Sequence, residues 1–172
     1  MNIIVVGAGI AGLSTAWSLN KRGHSVTLLE QGPIPNPLAA SGDHHRIIRR
    51  AYPSGSGYGR VITEAYAAWD ELWSDLGERH YDHRGFLCIS READDEAEDY
   101  LEGLREGGFP FEMLTAQEAA IRWPFLDPAT IRYAYFSEEG GALHSRRIAL
   151  GLRKLRNKQL ENPWKKHDNI PL

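Results

Sequence analysis

The chain has 172 residues, 42% hydrophobic and 25% charged, with 20 Lys and Arg against 23 Asp and Glu for a net charge of −3. That is the composition of a soluble globular protein large enough to bury a core. The slight negative balance leaves no footprint for nucleic acid, the apolar runs are far short of a membrane span, and the single cysteine excludes an internal disulfide.

The first predicted element is a strand, Ile3-Ile4-Val5-Val6, with no charged or apolar leader before it. A secretory signal is therefore not expected, and the cytoplasm is the expected compartment. Gly7-Ala8-Gly9-Ile10-Ala11-Gly12 follows at once and opens a helix from Leu13 to Lys21. A second strand, Ser25 to Leu29, ends in Glu30. Strand, glycine turn, helix, strand and terminal acid in this order make the βαβ fingerprint of adenine dinucleotide binding. Gly7 permits the tight turn, Gly9 lets a pyrophosphate approach the backbone, and Gly12 lets the helix pack close to the sheet. The helix N-terminus offers free N–H groups and partial positive charge to phosphate. Glu30 can accept hydrogen bonds from ribose hydroxyls and would repel a 2′-phosphate, which disfavours NADP and leaves FAD and NAD open.

Residues 32–42 (GPIPNPLAASG) read as loop, and a basic stretch follows over 43–60. An amphipathic helix is predicted over 62–78, with Ala65, Tyr66, Trp69, Leu72, Trp73 and Leu76 on one stripe. Residues 85–89 read as a buried strand and the acidic segment 91–106 as a solvated helix. Thr115 to Glu118 has the pattern of a capping box, starting a short helix that ends near Trp123-Pro124. Ile131–Phe136 and Ala142-Leu143 flank Glu138-Glu139-Gly140-Gly141 as a predicted hairpin, and Ser145 caps a last helix through Leu155. Residues 157–172 show neither helical nor strand periodicity. Cys88 reads as a small buried apolar residue, and His80 and His83 as ordinary histidines; no metal site is expected.

His44-His45-Arg46-Ile47-Ile48-Arg49 stands out. Two arginines at this spacing lie close together on a helical turn, and arginine recognises a carboxylate bidentately.

Through VVGAGIAGLSTAWSL, LLEQG, SGDHHRIIRRAY, RWPFL and YFSEEGGALHSRRI, the chain resembles the D-amino-acid oxidase and sarcosine oxidase family of flavoproteins over about residues 1–155. The resemblance implies an α/β fold: a Rossmann-like FAD-binding βαβ domain with an incomplete sheet, joined to the start of an antiparallel α+β substrate-binding domain. It implies 1–79 for the FAD-binding and flavin/substrate helix region, 80–138 for the partial substrate domain, 139–156 for the return helix and 157–172 for an atypical tail. Gly7, Gly9 and Gly12 would hold the FAD pyrophosphate and Glu30 the adenosine ribose, with Ala11 and Gln31 in the same cofactor-binding set. His45 and Arg46 match positions beside the flavin ring, where a cation stabilises negative charge on the reduced flavin. Arg49 matches the arginine that grips the substrate carboxylate. The implied reaction oxidises the C–N bond of an amino acid or N-methyl amino acid such as sarcosine, with hydride transfer to flavin and reoxidation by oxygen.

The match stops near Leu155, and family members are more than twice as long. The later sheet strands, the flavin-site lysines and the flavin-carrying cysteine of the covalent branch have no counterpart. The expectation is an N-terminal portion followed by unrelated residues, as a frame change near residue 156 would produce, binding FAD weakly and turning over nothing alone. The competing readings are an NAD-linked Rossmann dehydrogenase and a non-catalytic fragment that either binds FAD or completes its fold with a partner chain; a partner chain or a missing C-terminal half is the expected completion of the fold.

Overall fold

The structure, a computed structural model, describes residues 1–40 and 42–159, with side chains described as far as Leu155. The elements run β1 (Asn2–Val6), α1 (Ile10–Lys21), β2 (Ser25–Leu29), β3 (Arg46–Arg49), α2 (Tyr58–Leu76), β4 (Tyr81–His83) and β5 (Phe86–Ser90). Then come α3 (Glu96–Glu106), β6 (Glu112–Thr115), α4 (Ala116–Arg122), a 3₁₀ turn at Pro128–Thr130, β7 (Tyr133–Ser137), β8 (Gly140–Leu143) and α5 (Ser145–Gln159). The tail expected to be aperiodic thus begins inside α5, and residues 160–172 lie outside the described ones.

The chain packs as two compact units. One holds Met1–Arg46, Leu72–His80 and the segment from Leu143 onward; the other holds Ile47–Glu71 and Tyr81–Ala142.

In the first unit β1 and β2 pair in parallel, with Asn2 opposite Ser25 and Val6 opposite Leu29. The helix between them, α1, packs against α5. Leu13, Ala16, Val26, Leu28, Ile148, Ala149 and Leu152 form the buried interior. Arg146 on α5 donates to the Gly42 carbonyl at 2.9 Å and Arg153 to that of Ile34 at 3.2 Å, which anchors the proline-rich loop. Trp17 Nε1–H donates to Asp75 at 2.8 Å and Lys21 pairs with the same carboxylate at 3.0 Å. Parallel strands are normally covered on both faces. Here Ile4 and Val6 remain 67% and 81% exposed. The apolar run of β1 therefore buries one face only.

In the second unit β5, β7 and β6 form an antiparallel sheet, with Phe86 opposite Ser137 and Glu112 opposite Phe136. Ala51, Ala97, Leu101, Leu104 and Tyr135 form one buried cluster, with Phe86, Cys88, Phe109 and Phe111 around it. Cys88 is thus apolar filler, and burial pushes its thiol above the usual range. Leu114, Ala119 and Ala134 form a second cluster beside Trp123 and Phe136. The capping box at α4 is present: Glu118 N–H donates to Thr115 Oγ1 at 3.2 Å, and Thr115 N–H donates to Glu118 Oε2 at 2.8 Å.

Two expectations are corrected. Arg46-Ile47-Ile48-Arg49 is a strand, not a helical turn. Its paired β-branched residues favour extended backbone, with Ile48 buried and Ile47 66% exposed. Arg46 and Arg49 consequently face opposite sides of the strand. The predicted hairpin at 138–141 does not form, because β7 pairs with β5 and β6 while β8 pairs with β3 and β4. A two-residue hairpin needs positive φ in its turn, and neither Glu138 nor Glu139 has it. Strands β4 and β6 were not anticipated in the sequence.

Candidate functional site

The glycine turn is built by its backbone. Gly7 sits at φ +93°, and its N–H donates to the Leu29 carbonyl at 2.7 Å, tying the turn to the end of β2. A Cβ on Gly12 would collide with the Gly7 carbonyl, so only glycine lets α1 start this close to the turn. A Cβ on Gly9 would meet nothing within 4 Å. That open space lies over the N-cap of α1, which has no side-chain cap and no acidic residue in its first turn. The first N–H groups of the helix have no partner within the helix, and no acid of its own first turn compensates its positive end. These residues fit the diphosphate of a dinucleotide.

Glu30 closes the other side. Its Oε2 accepts Ala8 N–H at 2.6 Å and its Oε1 accepts Gly32 N–H at 2.8 Å. Ala11 is exposed on the first turn of α1, and Gln31 is exposed beside Glu30. His45 and Arg46 are exposed at the entry to β3. The Arg46 guanidinium pairs with Asp43 at 2.7 Å and also reaches the Ala40 carbonyl. All these residues lie in the first unit; Arg49 lies in the second.

Arg49 sits among aromatic faces. Its guanidinium carbon lies 4.5 Å from the Tyr100 ring centroid, 5.2 Å from Phe86 and 5.4 Å from Tyr52. Among the described residues no carboxylate pairs with it. Its neighbour Arg50 is the opposite case. Arg50 pairs with Glu139 at 2.5 Å, donates to Thr63 at 3.1 Å and lies 4.5 Å from the Tyr66 ring and 4.7 Å from Phe109. Burial, reinforced by Tyr81, pushes the Tyr66 phenol far above its usual range, so it stays protonated.

The aromatic residues around Arg49 and the Ala8–Glu30 bond were not foreseen. Tyr52 lies in the loop after β3, Phe86 on β5 and Tyr100 on α3, so they share no period. Among the described residues no group of His, Cys, Asp and Glu could hold a metal ion, and no helix is long and apolar enough to cross a membrane. His83 Nε2 is bonded to the Glu138 carbonyl oxygen at 2.6 Å, and His80 is buried.

A glycine-turn βαβ unit and an antiparallel sheet within one chain are elements of an FAD-dependent oxidoreductase. The chain belongs to the FAD dependent oxidoreductase (DAO) family, whose model matches residues 2–159. It is 30% identical over 142 residues to the peroxisomal sarcosine oxidase of Mus musculus, covering 83% of this chain and 36% of the relative. It is 24% identical over 147 residues to an N-methyl-L-tryptophan oxidase of Yersinia pestis, covering 84% of this chain and 39% of the relative. Among solved structures it shares the fold of NikD, an unusual amino acid oxidase essential for nikkomycin biosynthesis, at TM-score 0.76 and 23% identity over 91% of this chain and 41% of that one. A glycine oxidase from Bacillus cereus matches at TM-score 0.68 and 21% identity, over 92% of this chain and 44% of that one. The chain therefore spans well under half the length of the relatives it matches. Membership in an FAD-dependent family sets aside the NAD-linked dehydrogenase alternative.

Proposed function

We propose that the chain carries the FAD-binding start and part of the substrate-binding sheet of an enzyme oxidising the C–N bond of an amino acid or N-methyl amino acid. The observation that carries this reading is Arg49, a guanidinium fixed by three rings with no carboxylate of its own among the described residues. Such a group is ready for a planar anion, and the carboxylate of an amino acid fits its fork. Two of the relatives are named for N-methylated amino acids, which supports the same substrate class.

In this reading the N–H groups at the start of α1 hold the FAD diphosphate, with Gly9 and Ala11 at the approach. Glu30 holds the adenosine ribose, with Gln31 beside it. His45 and Arg46 supply the cationic surroundings of the flavin ring. The pair of Arg46 with Asp43 is exposed, so exchanging it for a ligand costs little. Arg49 fixes the substrate through its carboxylate. The chemistry the cofactor supplies when bound is acceptance of a hydride from the carbon bearing the amine, with the electrons passing on to oxygen. The exposed Ile4 and Val6, and the 36–44% share of the relatives' length, support a chain that needs a further segment or a partner chain for turnover.

The test is titration of the 172-residue chain with FAD and with NAD, followed by flavin fluorescence and equilibrium dialysis. FAD binding with no NAD binding is expected, together with no peroxide from sarcosine. Sarcosine should perturb the flavin spectrum of the wild type and not that of Arg49→Gln. NAD binding without FAD binding would overturn the cofactor assignment. Peroxide formation by the chain alone would overturn its dependence on a further segment.

A further inference from the structure

A carboxylate has two oxygens and about four lone-pair directions. Glu30 uses one on each oxygen, Oε2 for Ala8 N–H at 2.6 Å and Oε1 for Gly32 N–H at 2.8 Å. One direction remains on each oxygen, and the vicinal hydroxyls of a ribose offer two donors side by side. We infer that Glu30 is a strut as well as a ribose acceptor: by holding Ala8 N–H it keeps the glycine turn in the shape that receives phosphate. The inference rests on the dinucleotide reading above.

The backbone supports it. Ala8 is 6% exposed, so its N–H has little water to turn to if Glu30 lets go. Gly7 N–H is committed to the Leu29 carbonyl, a bond that any residue at position 30 would allow. Among the described residues the next amide along is held only by the side chain of residue 30. Two consecutive amides of the turn are thus tied to the end of β2, one through backbone and one through Glu30. The N–H groups left for a diphosphate begin at Gly9. Glutamine is a poor replacement, because its one carbonyl oxygen satisfies one of the two amides and its NH₂ faces the other.

The experiment compares ADP with 2′,3′-dideoxy-ADP on the 172-residue chain, Glu30→Ala and Glu30→Gln, by calorimetry. Hydrogen exchange of the Ala8 amide is read by NMR in the ligand-free proteins. A pure ribose acceptor would leave dideoxy-ADP indifferent to position 30. A strut predicts that both variants weaken dideoxy-ADP by about tenfold and ADP by more. It also predicts faster exchange at Ala8 while the amides of α1 and α5 keep their protection. Unchanged dideoxy-ADP binding, or exchange that rises equally at every amide, overturns the proposal. If Glu30→Ala fails to fold, the near-isosteric Glu30→Gln decides it. If the wild type binds neither nucleotide, the dinucleotide reading itself fails and the strut with it.

Discussion

Arg50 Nε lies 2.5 Å from Glu139 Oε2, and the pair joins the end of β3 to the connection between β7 and β8. The Arg50 side chain is 11% exposed and that of Glu139 39%, so the guanidinium has lost most of its water and the carboxylate has not. Removing the acid leaves a desolvated cation between the rings of Tyr66 and Phe109. Glu139→Gln should lower the free energy of unfolding by about 2 kcal/mol, below the usual figure for a fully buried pair. Arg50→Met, which removes the charge and keeps the packing, should cost less than Glu139→Gln. Urea unfolding of both variants measures the order, and the reverse order would mean that the pair contributes little.

Arg49 is one residue away and should behave differently. It holds no carboxylate among the described residues, so its removal strands no opposite charge. What is lost is its contact with Tyr52, Phe86 and Tyr100. Arg49→Gln should cost about 1 kcal/mol of stability and abolish the response of the FAD-loaded chain to sarcosine. Arg49→Lys keeps the charge but loses the planar fork, and should recover stability better than substrate response. A large stability loss with an intact sarcosine response would make Arg49 a packing residue.

The βαβ start was legible because its information is local. Glycines at fixed offsets, a strand on either side and an acid at the end all lie within Ile3 to Glu30. The capping box at Thr115 was legible for the same reason. Arg46 to Arg49 was misread because their spacing suits a helical turn, whereas the neighbours that make it a strand, β8 foremost, lie far along the chain. The predicted hairpin failed similarly: strand, polar pair and strand were all there, but each strand found partners elsewhere. The Ala8–Glu30 bond spans 22 positions and its donor is backbone, so residue identity carries no trace of it.

Gly9 and Gly12 separate binding from folding. Gly9 has φ −66° and ψ 179°, which any residue adopts, and open space where a Cβ would go. Gly9→Ala should leave the ligand-free chain within about 1 kcal/mol of wild type while the added methyl blocks the diphosphate. Gly12→Ala drives a Cβ into the Gly7 carbonyl and should cost about 1–3 kcal/mol before any ligand is added. Thermal melts with and without FAD distinguish the two. If Gly9→Ala still binds FAD as wild type does, the diphosphate does not lie over Gly9.

His80 should give the first unit a pH dependence. The residue is 8% exposed, stands edge-on to Trp73 with ring centroids 6.3 Å apart, and has Nδ1 3.6 Å from a Glu78 oxygen. Burial holds its pKa below the ordinary imidazole value of 6.5, helped by Arg147, His144 and Lys154 and opposed by Glu78. The unfolded chain therefore takes up this proton first as pH falls. Stability is lost as pH drops through the ordinary value, and the loss levels off once the native ring also protonates. In His80→Gln that contribution is absent. The stability difference between wild type and His80→Gln, measured by urea unfolding from about pH 7.5 to pH 5, should therefore shift against the wild type as the solution is acidified. A difference that stays constant over that range would mean that His80 titrates alike in the folded and unfolded chains, and that its burial does not govern its charge.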